Sequence, residues 1–224
     1  GPLLVGMAFK RRGNLEKARE KFESALAMKT GNLYPLVQLV GLDLAEKKSG
    51  KALERIKSQI EQLPDSAGLH YILGRVYMVQ NELTKAESAM HKAAELEPNL
   101  PGPYAALGQI FLAKGKEEKS LEKFEESLEK NPNNLGVLML SGTLHQKKGD
   151  IEKARKKYEK ILKINPEFIP AVNNLAYIYS EYDGDLEKAF RLAMKANKAY
   201  PEDPRISDTL RSEERRVGKE CATG

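Results

Sequence analysis

Residues 69–98 read LHYILGRVYMVQNELTKAESAMHKAAELEP, and two helical patterns meet inside that stretch. Leu73, Gly74 and Tyr77 share one helical face, and a glycine on such a face lets a neighbouring helix come close. Gln80-Asn81-Glu82 then interrupts the pattern; Asn tolerates the left-handed conformation that ends a helix. A second stripe runs through Ala86 and Met90 on one face and stops at Pro98, because proline cannot continue a helix. The stretch therefore predicts two antiparallel helices joined by a tight turn and closed by a proline.

The same unit recurs in both directions. Ala18, Ala52, Ala86, Ser120, Ala154 and Ala189 follow one another at intervals of 34 residues, the last interval being 35. Four residues after each stands Phe22, Ile56, Met90, Phe124, Tyr158 or Ala193, on the same face. Pro64, Pro98, Pro132, Pro166 and Pro201 close successive units. In the first helices, Leu107-Gly108 precedes Phe111 and Leu175-Ala176 precedes Tyr179. The turns Arg12-Gly13-Asn14, Lys114-Gly115-Lys116, Lys148-Gly149-Asp150 and Asp183-Gly184-Asp185 carry a residue suited to the left-handed conformation.

These residues resemble the tetratricopeptide repeat, bacterial type, over Leu3 to Leu210. The resemblance implies an all-α fold, a right-handed superhelical solenoid of antiparallel helix pairs in which each pair contacts its neighbours. The array divides into a partial repeat at 3–32, repeats at 33–66, 67–100, 101–134, 135–168 and 169–203, and a truncated repeat at 204–210. Three departures stand out. Repeat 33–66 has Leu39-Val40 at the Leu-Gly slot with Gly41 one place late, and Asp43 in place of the aromatic, which predicts a less regular pair. His145 occupies the aromatic slot of repeat 135–168, and the Asp183 turn carries one extra residue.

The last stretch breaks the pattern. RSEERRVGKEC, at residues 211–221, resembles the in-frame translation of a sequencing-adapter oligonucleotide, and it begins where Gly or Ala is due after Leu210. Residues 211–224 are read as a non-native tail, Cys221 is given no function, and the natural array is expected to continue with more repeats. With that lone cysteine, no intramolecular disulfide forms.

Composition bounds the chemistry. A chain 31% charged and 7% aromatic, with mean hydropathy −0.54, has no apolar run near the roughly 20 residues that cross a bilayer. Its formal charge of +5 is spread as alternating signs along solvated helix faces, which argues against a nucleic-acid partner. His70, His91 and His145 lie in separate repeats with no second His or Cys at helical ligand spacing, so no metal site and no cofactor is expected. There is no phosphate loop or nucleophile elbow, and no catalytic residues are assigned: the segment is not read as an enzyme. Glu122 and Glu125 beside Lys119, Lys123 and Lys130 read as intrahelical pairs.

By the resemblance, first helices line a concave groove that takes a peptide or helix of a partner protein. The inward positions would be Tyr34, Gln38, Tyr71, Arg75, Gln109, Met139, Thr143, Asn173, Asn174 and Tyr177. Tyrosine, arginine and asparagine suit peptide recognition. Gly102, Ala105, Ala106 and Gly136 leave the middle small and apolar, which fits a helix or aliphatic segment better than an acidic tail. The wording of residues 173–210 is similar to bacterial arrays of cell-envelope assembly, exopolysaccharide export and protein sorting, and favours periplasm or envelope over cytoplasm. The alternative is a docking or regulatory segment of a larger enzyme, such as a glycosyltransferase or protease.

Overall fold

The computed structural model describes residues 1–28, 31–199, 201–202 and 204–223, with side chains omitted at 199, 205, 217 and 219–223, so the Cys221 side chain lies outside it. Among the described residues there are thirteen α-helices and no strand. They are α1 (Pro2–Arg11), α2 (Leu15–Ala27), α3 (Tyr34–Ala45), α4 (Ser49–Gln62), α5 (Ala67–Val79), α6 (Leu83–Leu96) and α7 (Pro101–Ala113). These are followed by α8 (Glu117–Lys130), α9 (Leu135–Lys147), α10 (Ile151–Ile164), α11 (Ile169–Glu181), α12 (Leu186–Ala199) and α13 (Pro204–Thr223). They form two compact units, Gly1–Ser120 and Leu121–Gly224, each a stack of antiparallel helix pairs.

Local chemistry sets the helix ends. Side chains of Asn14, Ser66, Asn134 and Asp185 accept the backbone N–H three residues on, filling donors that a helix start leaves free. Proline stands in the first turn of α3, α7 and α11, where its missing N–H costs nothing. Six first helices end on a residue with positive φ: Gly13, Lys47, Asn81, Gly115, Gly149 and Gly184. The residue after it donates its N–H back to the carbonyl of Phe9, Asp43, Tyr77, Phe111, His145 or Tyr179, at 2.7 to 3.0 Å. The aromatic slot of the repeat is thus also the acceptor that closes each turn.

Packing follows the small-large periodicity. Ala18, Ala52, Ala86, Ser120, Ala154 and Ala189 are fully buried, as are Phe22, Ile56, Met90, Phe124, Tyr158 and Ala193. Each large member contributes about 2 kcal/mol by leaving water. The glycines of the first helices let these side chains in: a Cβ on Gly6 would come within 2.7 Å of Phe22, on Gly74 within 2.8 Å of Met90, and on Gly142 within 2.7 Å of Tyr158. In the first unit the core joins Leu36, Val40, Ile56, Leu69 and Val76 across α3, α4 and α5. In the second, Val172, Ala196 and Ile206 tie α11, α12 and α13 together.

Repeat 33–66 forms its helix pair, α3 and α4, with its unusual residues accommodated in the core. Leu39 and Val40 are buried where Leu-Gly stands elsewhere. Asp43, fully buried, keeps its charge paired: it accepts from Arg19 Nη1 at 2.5 Å and from Arg55 Nε at 2.8 Å. His145 is accommodated in a similar way, its Nδ1 lying 3.2 Å from Asp150 Oδ2. Residues 211–223 continue α13 as helix. There Glu213 is buried, Arg211 donates to Asp208 at 3.4 Å, and Arg216 bonds Ser180 Oγ and Glu181 of α11.

Candidate interaction face

In the first unit the first helices lie side by side. Lys10 of α1 donates to Gln38 of α3 at 2.6 Å, and Tyr71 of α5 packs over Gly102 of α7, where a Cβ would sit 3.1 Å from the ring. Between α3 and α5 runs a groove of about 260 Å³, bordered by Val37, Gly41 and Leu44 on one side and Tyr71, Arg75 and Val79 on the other. Its floor is the buried row Val40, Ile72 and Val76. Val37 and Val79 are 42% and 66% exposed, a large apolar exposure for side chains flanking one cleft. Arg75 Nη1 donates to Tyr71 Oη at 3.3 Å, and among the described residues it has no carboxylate partner.

The other sequence-predicted residues of this unit lie outside the groove. Tyr34 is exposed at the start of α3, its backbone N–H held by Asn32 Oδ1 at 2.8 Å. Gln109 is exposed on α7, and Gln38 is engaged by Lys10. Of the positions named from sequence, the fold brings together Tyr71 and Arg75 here.

In the second unit the buried Tyr158 ring reaches the first-helix side and its hydroxyl gathers two predicted positions, Asn174 and Thr143, together with Gln146. Asn174 Nδ2 donates to it at 3.0 Å, and the hydroxyl donates to Gln146 Oε1 at 2.9 Å with Thr143 Oγ1 at 3.4 Å as the weaker alternative. Burial raises the Tyr158 pKa above the ordinary phenol value, against the bonds to Thr143 and Asn174. Asn174, half-buried, and Thr143, exposed, thus both reach the Tyr158 hydroxyl. Asn173 accepts from Thr209 of α13 at 3.2 Å, while Met139 is half-buried on α9. Tyr177 stands exposed, edge-to-face with Tyr182 at 6.1 Å between ring centres.

The second helices carry charge pairs that sequence reading mostly missed. Arg19 meets Glu46, Glu87 meets Lys114 and Arg155 meets Asp183 across successive repeats, at offsets of 27, 27 and 28 residues. Glu23 meets Arg55 and Glu125 meets Lys157, both 32 residues apart. Glu125 thus pairs between helices, and also accepts from Ser141, rather than within α8 as its spacing suggested; Lys123 takes Glu122 and Glu126 instead. Hydrogen bonds from Lys48 and Arg19 hold the Glu46 carboxyl down at about 2. For Arg19, burial would lower the pKa, but its bonds to Asp43 and Glu46 outweigh that and raise it.

The histidines are occupied locally: His70 Nε2 donates to the Pro64 carbonyl at 2.8 Å and His91 lies 4.0 Å from Glu87. Among the described residues no cluster of three or more His, Cys, Asp or Glu could hold a metal ion, and no helix is long and apolar enough to cross a membrane.

The family model described as the cytochrome c-type biogenesis protein H TPR domain matches residues 53–171, just over half of the chain. No curated protein matches the sequence. Among solved structures, the fold is similar to that of Pseudomonas aeruginosa pilF, with TM-score 0.73 and 19% identity, covering 94% of this chain and 96% of that one. A tetratricopeptide repeat protein from Parabacteroides merdae aligns with TM-score 0.65 and 18% identity, over 84% of this chain and 74% of that one. YrrB, described as a TPR protein with an unusual peptide-binding site, aligns with TM-score 0.61 and 19% identity, over 86% and 99%. At such identities these likenesses establish the fold alone.

Proposed function

Starting from the chain's membership of the tetratricopeptide repeat family described as the cytochrome c-type biogenesis protein H TPR domain, we propose that it takes a peptide or helix of a partner protein on the face formed by its first helices. Repeat scaffolds of this kind bind proteins rather than carry out chemistry. The observation that carries the reading is the contrast between the two faces of the first unit. The first-helix face exposes Val37 and Val79 beside a preformed groove, whereas second helices bear paired charges such as Glu82 with Lys85 and Lys92 with Glu95. Exposed apolar side chains grouped at a cleft gain from being covered, and surface ion pairs gain little.

The setting we propose is bacterial envelope assembly. Two observations support it: the wording of residues 173–210, similar to envelope arrays, and the matched family's description in cytochrome c-type biogenesis. Fractionation of cells carrying the tagged native gene product tests this, and recovery in the cytosol alone would count against it. For the binding face, the test is a pull-down with the Tyr71→Ala, Tyr177→Ala double variant. Capture of the native partner should weaken while helical content by circular dichroism stays the same. Undiminished capture would remove the first-helix assignment.

A further inference from the structure

We infer that the groove between α3 and α5 is a subsite for an aliphatic peptide segment carrying a side-chain carboxylate between two apolar residues, with Arg75 as that carboxylate's partner. This rests on the reading that the first-helix face binds peptides, and it names the chemistry of the peptide.

The groove has one charged lining residue. Arg75 is exposed, its described contact is the Tyr71 hydroxyl, and no carboxylate among the described residues pairs with it. That sets it apart from Arg19, Arg55 and Arg155, each of which is held by two acidic side chains. With one Nη1 hydrogen turned to Tyr71, the guanidinium still has its Nε and Nη2 hydrogens for an incoming acceptor, and charge-assisted bonds to a carboxylate are about twice as strong as neutral ones.

Position decides between an internal carboxylate and a chain end. Tyr71, Arg75 and Val79 are spaced four apart on α5, so they form one stripe with the cation in its middle. On α3, Val37, Gly41 and Leu44 form the facing stripe. Apolar side chains therefore flank Arg75 on both sides along the groove. A ligand that fills it places an aliphatic residue before and after its carboxylate, which a terminal carboxylate cannot do.

Gly41 makes the room. It does not serve helix packing: a Cβ there would meet nothing within 4 Å, so its missing side chain opens the groove wall opposite Arg75. Any larger residue at 41 would stand in the ligand's path while improving the helix, since glycine is among the poorest helix formers.

The experiment is selection of displayed random dodecapeptides on the whole chain and on its Arg75→Gln, Arg75→Lys and Gly41→Leu variants, each first checked for unchanged helical content. The wild type should enrich peptides with Asp or Glu between aliphatic residues. Changing that acid to its amide in a synthetic copy should weaken binding about tenfold. Arg75→Gln should still select aliphatic peptides with the acidic preference gone, Arg75→Lys should keep the preference, and Gly41→Leu should select none of them.

Aliphatic peptides selected without an acidic preference, or an acidic preference that survives Arg75→Gln, would overturn the carboxylate subsite and leave the first-helix face standing. Peptides bound equally by Gly41→Leu, or no peptide selected by the wild type, would overturn both.

Discussion

Asp43 is fully buried and accepts a hydrogen bond from Arg19 at 2.5 Å, joining α2 to α3 where other repeats place an aromatic ring. With Arg55 on its other oxygen, the carboxylate binds three consecutive helices into one register. Removing it would take the more buried of two carboxylate partners from each of two guanidiniums whose side chains are only 18% and 17% exposed, leaving Arg19 with Glu46 and Arg55 with Glu23. Asp43→Ala should therefore lower stability by about 3 kcal/mol, read as a reduced urea midpoint. A change within error would show that the pair adds nothing over solvated arginines.

Lys47 ends α3 with φ of 58°, a place held by glycine in four of the other five turns. A side chain in that conformation costs roughly 1–2 kcal/mol. Lys47→Gly should raise the thermal midpoint, the net gain in stability being about 1 kcal/mol once the looser unfolded chain is counted. Calorimetry of the two proteins side by side checks it.

Tyr179 is buried and donates to Glu159 at 3.0 Å. Burial, then the bond to Glu159 and its charge, raise the phenol to about 12. A group whose folded pKa lies above its unfolded value supports the fold fully below that unfolded value, near 10, and loses the support as pH rises toward 12. Denaturation midpoints should thus fall over that alkaline window, and Tyr179→Phe should make the fall shallower. Equal slopes for the two proteins would show that another group carries the effect.

Glu213 of α13 is buried, and its Oε2 lacks a hydrogen-bond partner among the described residues. An unpaired buried polar atom costs about 1–3 kcal/mol. Glu213→Met fills the same volume without that cost and should stabilise the second unit by about 1 kcal/mol. Loss of stability on that change would mean that the carboxylate has a role the packing does not reveal.

The parts of the fold that were legible in the sequence are those enforced by local geometry. Ala86 and Met90 share a face whatever surrounds them, and Pro98 breaks a helix in any context. Asp43 was harder, because its effect depends on Arg19 and Arg55, which lie 24 and 12 residues away along the chain. The inter-repeat ion pairs did leave a trace, opposite charges recurring at offsets of 27 or 28 and of 32 residues, which shorter-range i,i+4 reasoning does not scan. At the candidate face, a search weighted toward polar and aromatic types named Tyr71 and Arg75 but passed over Val37, Gly41 and Val79, which shape the groove. It also named Asn174 and Thr143, whose polar atoms face the Tyr158 hydroxyl.

Partners that meet this protein on its first helices should be captured there and not on its second helices. Photo-crosslinking side chains placed singly at Val37 and Val79 on that face, and at Lys57 and Lys92 on exposed second-helix positions, test it in the organism's own extract. One discrete adduct is expected from Val37 and Val79, suppressed by excess unmodified protein and absent when Gly41→Leu is added. The same adduct arising with equal yield from Lys57 and Lys92, or surviving Gly41→Leu, would contradict it.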